Sequence, residues 1–286
     1  MPEKNGAIGL IAGGGQFPLM LADAARERGL RVVAVAHLGE ADPALSDKVD
    51  EIVWIKLGKL GQLIKFLKKN GVKSAFMAGT ITKKRMFSRL RPDLKGLAIM
   101  SRLAVFHDDD ILRAVAGELE KDGIEIVSST FYLPELLAPL GCLTRRRPGK
   151  AEKEDIAFGW KVAKELGRLD IGQCVVVRQK TVLALEAIDG TDETIIRGGS
   201  LAGEKAVVVK VSKPAQDLRF DVPSVGLDTV RAMSRVGASV LAVEAGKTLI
   251  FDKLKMISHA DKAGISIISR ENSDDGENQA SHTGQG

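Results

Sequence analysis

Along the first half of the chain, short apolar runs alternate with segments of helical spacing. Ala7-Ile-Gly-Leu-Ile-Ala12 is the first run, and it ends in three consecutive glycines, Gly13, Gly14 and Gly15. A helix is predicted over 18–28, because Pro18 suits a first helical turn and Gly29 closes the segment. Further strands are predicted at 31–36, 52–55, 74–78 and 124–128, with helices over 59–70 and 108–121, each stopped by a glycine shortly after (Gly71, Gly123). Strands that are apolar on both faces and alternate with helices predict a parallel sheet covered on both sides. The expectation for 1–130 is a Rossmann-like amino-terminal domain.

The stretch 131–150 carries Pro134, Pro139, Gly141, Pro148 and Gly149, and reads as a linker. The second half, 151–270, opens with a helix over 153–166. Strands are then predicted at 174–178, 182–187, 206–211, 239–243, 248–251 and 265–268, and helices at 227–236 and 252–263. It reads as a second α/β domain without a regular strand–helix–strand unit, and a cleft between the two halves is expected. Residues 271–286 hold four acids, no Lys or Arg and no aliphatic residue larger than Ala, so they are expected to be a disordered tail.

The 286 residues carry 42 Lys and Arg against 37 Asp and Glu, a net charge of +5. The acidic tail hides a more basic body, which favours anionic partners. Aromatics are only 4% of the chain and do not interleave with the basic segments, so a nucleic-acid partner is not expected. The apolar runs are far shorter than the roughly 20 residues of a membrane helix. Two cysteines, Cys142 and Cys174, form neither a disulfide framework nor a metal-ligand spacing. With no signal-like amino terminus, a cytoplasmic location is expected.

Four segments carry candidate chemistry. The loop Ile11-Ala-Gly-Gly-Gly-Gln-Phe-Pro18 lies between a strand and a helix start, where backbone N–H groups suit an anion. Its sixth fingerprint position is Pro18, and the next strand ends at His37 rather than at an acid for a ribose, so a nicotinamide cofactor is disfavoured. A tight structural turn is the plain alternative. The segment from Lys83 to Lys95 holds six positive charges and one acid and follows a strand end at Gly79-Thr80, where it reads either as a solvated loop or as a phosphate or acidic-lipid contact near Met86 and Phe87. His107-Asp-Asp-Asp110 opens a helix; capping explains it, and a metal or substrate role is the alternative. In the second half, Glu186, Asp189, Asp192 and Glu193 cluster at a strand end and helix start, and Lys213, Gln216, Asp217, Arg219 and Asp221 lie on a loop pinned by Pro214 and Pro223. Carboxylates suit Mg²⁺ and bases suit phosphate oxygens, although surface salt bridges would give the same composition.

The segments Leu169-Asp-Ile-Gly-Gln-Cys-Val-Val-Val177, Leu185-Glu-Ala-Ile-Asp-Gly-Thr-Asp192, Lys213-Pro-Ala-Gln-Asp217, Asp221-Val-Pro-Ser-Val-Gly226 and Ala242-Val-Glu-Ala-Gly246, with the opening Gly-Leu-Ile-Ala-Gly-Gly-Gly-Gln-Phe-Pro, resemble the LpxI-type UDP-2,3-diacylglucosamine pyrophosphatases. The resemblance spans roughly residues 7–270. It implies two α/β domains with the lipid bound between them, and Mg²⁺-dependent hydrolysis (Mn²⁺ as the alternative metal) of UDP-2,3-diacylglucosamine to UMP and 2,3-diacylglucosamine 1-phosphate, lipid X, in lipid A synthesis. It places the key aspartate at Asp221, with Asp217 as the alternative counterpart. The remaining expectations are substrate contacts at Gly13, Gly14, Gly15, Gln16, Phe17, Gly79, Thr80, Thr191, Lys213, Gln216 and Arg219, and metal ligation by Asp189, Asp192 and Asp221. An anionic membrane face at the inner side of the inner membrane is an expected partner surface, with apolar contact near Phe87, Met86 or Phe17. A homo-oligomer is left open.

Overall fold

The computed structural model describes residues 6–81, 91–101 and 108–271. The basic stretch 82–90, His107 and the acidic tail 272–286 lie outside the described residues, and so do the expectations attached to Met86 and Phe87. The chain divides into two compact units.

The first unit contains β1 (Ala7–Ala12), α1 (Phe17–Glu27), β2 (Arg31–His37), a 3-10 turn (Pro43–Lys48), β3 (Glu51–Ile55), α2 (Leu60–Lys69), β4 (Ser74–Ala78), α3 (Leu94–Met100), α4 (Asp108–Lys121) and β5 (Glu125–Ile126). The strands form one parallel sheet in the order β3-β2-β1-β4-β5. Its inner strands are buried almost throughout, as their unbroken apolar runs demand. Helix α2 turns Leu60, Leu63, Ile64 and Leu67 inward, an i, i+3, i+4, i+7 stripe that packs with Val33, Val35 and Ala75. The strand order reverses between β1 and β4, so the loops after these strands flank the switch point, the usual ligand edge of such a sheet. The Rossmann-like expectation holds.

The second unit contains β6 (Gly141–Cys142), α5 (Lys150–Arg168), β7 (Cys174–Arg178), β8 (Thr181–Leu185), α6 (Thr191–Ala202), β9 (Val207–Lys210), β10 (Ser224–Val225), α7 (Leu227–Arg235), β11 (Val240–Glu244), β12 (Leu249–Ile250), α8 (Lys253–Lys262) and β13 (Ser266–Arg270). Six strands form a mixed sheet, β6-β13-β11-β9-β7-β8, in which β9, β11 and β13 are parallel. The period of two sorts its side chains onto two faces. Val176, Val208, Leu241 and Ile267 share a core with Ile195 of α6, Met233 of α7 and Met256 of α8, while Val175, Val177, Val207 and Val209 pack with Ile156 and Trp160 of α5. The second half does contain regular strand–helix–strand units, contrary to expectation: α8 links the parallel neighbours β11 and β13, and α7 lies between β9 and β11. The long loop after Lys210 breaks the rhythm that sequence spacing would show.

One short segment leaves its sequence neighbours. Residues Asp217–Asp221 belong to the first unit, whereas 135–216 and 222 onward belong to the second.

Candidate functional site

The two glycine loops at the switch point bind each other. Gly13 N–H donates to the Ala78 carbonyl at 2.8 Å, Gly14 N–H to the Thr80 carbonyl at 2.7 Å, and Thr80 N–H returns to the Gly14 carbonyl at 3.0 Å. The first two amides of the expected anion loop are therefore committed to main chain, and the structural reading accounts for Gly13, Gly14, Gly79 and Thr80. Gly79 has φ +90°, and a Cβ there would lie 2.5 Å from the Gly14 carbonyl oxygen. Gly15 also has positive φ, +86°, but a Cβ there would meet nothing within 4 Å. Gly79→Ala is thus expected to destabilise the protein by about 2 kcal/mol or more, and Gly15→Ala by only about 1 kcal/mol. Urea midpoints of the two variants measure this difference, and equal shifts would contradict it. Phe17 is buried at the start of α1, so its ring packs internally instead of offering exposed apolar surface, as was expected of it; Gln16 beside it is exposed. At the end of β2, burial lowers the His37 imidazole to about 4, with Glu40 opposing.

The segment Asp217–Asp221 is pinned to the first unit. Phe220 is 9% exposed and sits in the core cluster with Ile99, Ala116, Leu119 and Ile126. Ser129 N–H, just past β5, donates to the Arg219 carbonyl at 2.9 Å. The Arg219 guanidinium forks onto Asp217, with Nε 3.0 Å from Oδ1 and Nη2 2.8 Å from Oδ2, and its Nη1 donates to Glu120 of α4 at 2.8 Å. This fork holds the Asp217 carboxyl below its usual range and raises the guanidinium. Arg219, expected at phosphate, and Asp217, the alternative reactive acid, thus form a bidentate pair that takes both carboxylate oxygens. Asp221, two residues on, is half-buried, and its N–H donates to the Asp217 carbonyl at 3.0 Å.

In the second unit the loop after β9 is equally well held. Glu244, 1% exposed at the end of β11, accepts from Ser212 N–H (2.9 Å), Ser212 Oγ (2.7 Å) and Lys164 Nζ (2.7 Å) on one oxygen. Lys247 lies 3.1 Å from the other oxygen, an ion pair without hydrogen-bond alignment. Burial alone would raise the Glu244 carboxyl, but Lys164 and Ser212 together hold it below its usual range. Lys213 Nζ is bonded to Asp170, and Gln216 Oε1 accepts from Lys213 N–H at 2.9 Å. Lys213 and Gln216, both expected at the substrate, thus first shape the loop itself.

The acidic cluster at the start of α6 contains a buried network. Glu186, 8% exposed, accepts from Thr191 Oγ1 at 2.6 Å, and Lys210, 7% exposed, donates to the same hydroxyl at 3.0 Å and to the Ser224 carbonyl at 2.8 Å. The Thr191 proton is thereby spent on Glu186, so this hydroxyl has no proton left to give a phosphate. Asp192 is exposed, yet its carboxyl is raised, foremost by desolvation and then by Asp228, Glu193 and Glu186, against the lowering influence of Lys210. Asp189 is ion-paired to Arg197 at 2.7 Å and accepts from Ala187 N–H.

Residues 7–136 match the LpxI N-terminal domain and residues 139–268 the LpxI C-terminal domain. The chain belongs to the LpxI family. A curated relative, the UDP-2,3-diacylglucosamine pyrophosphatase LpxI of Caulobacter vibrioides, is 36% identical over 273 residues, covering 91% of this chain and 96% of that protein. Among solved structures, the biotin carboxylase subunit of a pyruvate carboxylase aligns with 64% of this chain and 38% of that one, at 15% identity and a TM-score of 0.25.

In this LpxI-family chain two of the expected metal ligands, Asp189 and Asp192, lie in the second unit and Asp221 in the first, and Asp189 is ion-paired with Arg197. Among the described residues no group of three His, Cys, Asp or Glu side chains is arranged to hold a metal ion. A preformed protein cage for Mg²⁺ is thus not seen among the described residues. One carboxylate completed by substrate phosphate oxygens does fit, and that is how Mg²⁺ is commonly held. Sequence reading passed over Lys164, Lys210 and Glu244. Their signal was weak: Lys210 and Glu244 are single charges ending apolar strand runs, and Lys164 is one of several lysines on a helix.

Proposed function

We propose that this chain hydrolyses the diphosphate of UDP-2,3-diacylglucosamine to UMP and 2,3-diacylglucosamine 1-phosphate. The observation that carries the reading is the near end-to-end relation, at 36% identity, to a pyrophosphatase of that name. Water adds across the P–O–P bond: one phosphorus gains the new oxygen, and the bridging oxygen leaves with the other phosphoryl group. Asp221 is the residue we assign to orient that water or to meet a substrate-borne Mg²⁺. When bound, the metal would neutralise diphosphate charge. Among the bases expected at the diphosphate, Arg219 and Lys213 are engaged with acids, and this supports the metal as the counter-charge. Asp217 supports Arg219 rather than reacting.

The same reading places the protein in the cytoplasm, against an anionic membrane face that supplies the diacylated substrate. Among the described residues no helix is long and apolar enough to cross a membrane. The test is UMP release from UDP-2,3-diacylglucosamine in detergent micelles, with and without Mg²⁺. We expect EDTA to stop turnover and Mg²⁺ or Mn²⁺ to restore it. Full activity after exhaustive chelation would contradict the metal assignment, and no UMP under any condition would contradict the substrate.

A further inference from the structure

Residues Asp217–Asp221 lie inside the sequence match to the LpxI C-terminal domain, at 139–268, yet they fold as part of the first unit. We propose that Phe220 and Arg219 are positioning residues that mount the Asp221 carboxylate on the amino-terminal unit. The reactive acid is thus carried by the fold of one half although its sequence belongs to the other. This inference rests on the reading of Asp221 as the reactive acid.

The geometry supplies three independent restraints on the peptide that bears Asp221. The Phe220 ring, immediately before it, is sunk among Ile99, Ala116, Leu119 and Ile126. The Arg219 carbonyl is held by Ser129 N–H at 2.9 Å. The N–H groups of Phe220 and Asp221 both turn back to the Asp217 carbonyl, at 3.2 and 3.0 Å, which closes a single turn. The Arg219 side chain braces that turn, since its fork holds Asp217 while its remaining arm reaches Glu120. The guanidinium also lies 5.6 Å from the centre of the Phe220 ring. The chain is thus held on the first unit as far as the Asp221 N–H, and the carboxylate is placed from there. Reaction rates are steep in such placement: a misplacement of about 1 Å costs on the order of 10²-fold. A plug that merely staples the loop for stability would need the ring but would leave the rate per folded molecule unchanged.

The experiment measures kcat and KM for UMP release from UDP-2,3-diacylglucosamine by the full chain carrying Phe220→Ala, Phe220→Leu, Arg219→Gln or Arg219→Lys. The Phe220→Ala and Arg219→Gln changes are also placed on Asp221→Ala. We expect Phe220→Ala to lower kcat by about tenfold or more with KM within about threefold, since substrate contacts elsewhere persist. Phe220→Leu should recover most of the loss by refilling the site. Arg219→Gln should lower kcat, and Arg219→Lys should not restore it, because an ammonium cannot fork onto Asp217. On the Asp221→Ala background neither change should lower the residual rate further, since residues acting through one group are not additive. If Phe220→Ala does not fold, the Arg219 variants carry the test. Folded variants with wild-type kcat, or equal losses on the Asp221→Ala background, would overturn the proposal. Full activity of Asp221→Ala itself would instead remove the reading of that acid and the positioning role with it.

Discussion

Asp221→Ala is expected to lower turnover by on the order of 10²-fold or more while leaving substrate affinity nearly unchanged. The carboxylate sits one residue past a buried ring and two past an arginine whose charge is already neutralised. Asp217 is taken up by the Arg219 fork, and the assignment of the reactive acid falls on Asp221. On the proposed function its removal takes away a charge used mainly in the transition state, whereas affinity would rest on contacts to the rest of the substrate. Asp217→Asn should behave differently. It breaks the fork and acts through placement, so its loss should be smaller than that of Asp221→Ala. Steady-state kinetics of the two variants under identical conditions decide between them, and a larger loss at Asp217 would reverse the assignment.

Glu244→Gln is expected to cost about 3 kcal/mol of stability, the scale for breaking a buried charge pair. The amide keeps the volume but leaves the Lys164 ammonium, whose side chain is 15% exposed, without its counter-charge, and weakens the hold on Ser212 at the head of the loop after β9. The sign with pH follows from the Glu244 carboxyl being held below its usual range. A carboxyl depressed in the folded state contributes stability above its unfolded value and loses it as pH falls through its folded value. The gap between wild type and variant should thus be full at neutral pH and shrink below about pH 4. Urea unfolding at pH 7 and in that acid range measures it. A gap that stayed constant across the range would contradict the ion-pair account.

The parallel sheet of the first unit was legible because runs such as Arg31–His37 are apolar on both faces and glycines mark the helix ends. The hairpin of β7 and β8 had no such mark. Its turn residues Gln179 and Lys180 take φ +51° and +55° without a glycine, and Asp155 of α5 holds both their N–H groups, at 2.9 and 2.6 Å. That support comes from one residue, 24 and 25 positions away from the two it holds, and leaves no local pattern. The candidate site shows the same division. The loop between Pro214 and Pro223 could be singled out by composition, but not the use each charge is put to. Arg219 finds Glu120 across 99 residues, and Glu244 finds Lys164 across 80. Phe17 follows a glycine loop and so reads as surface, yet it opens a helix whose inner face is core. Residues Asp217–Asp221 give no hint in sequence that they leave the unit their neighbours build.

The central claim is tested most directly by ³¹P NMR of UDP-2,3-diacylglucosamine in detergent micelles with Mg²⁺, incubated with wild-type protein and, in parallel, with Asp221→Ala. The diphosphate resonances should give way to two phosphomonoester signals, UMP and 2,3-diacylglucosamine 1-phosphate, with the wild type and persist with the variant. Diphosphate signals that stay intact with the wild type, or that disappear equally fast with both proteins, would contradict it.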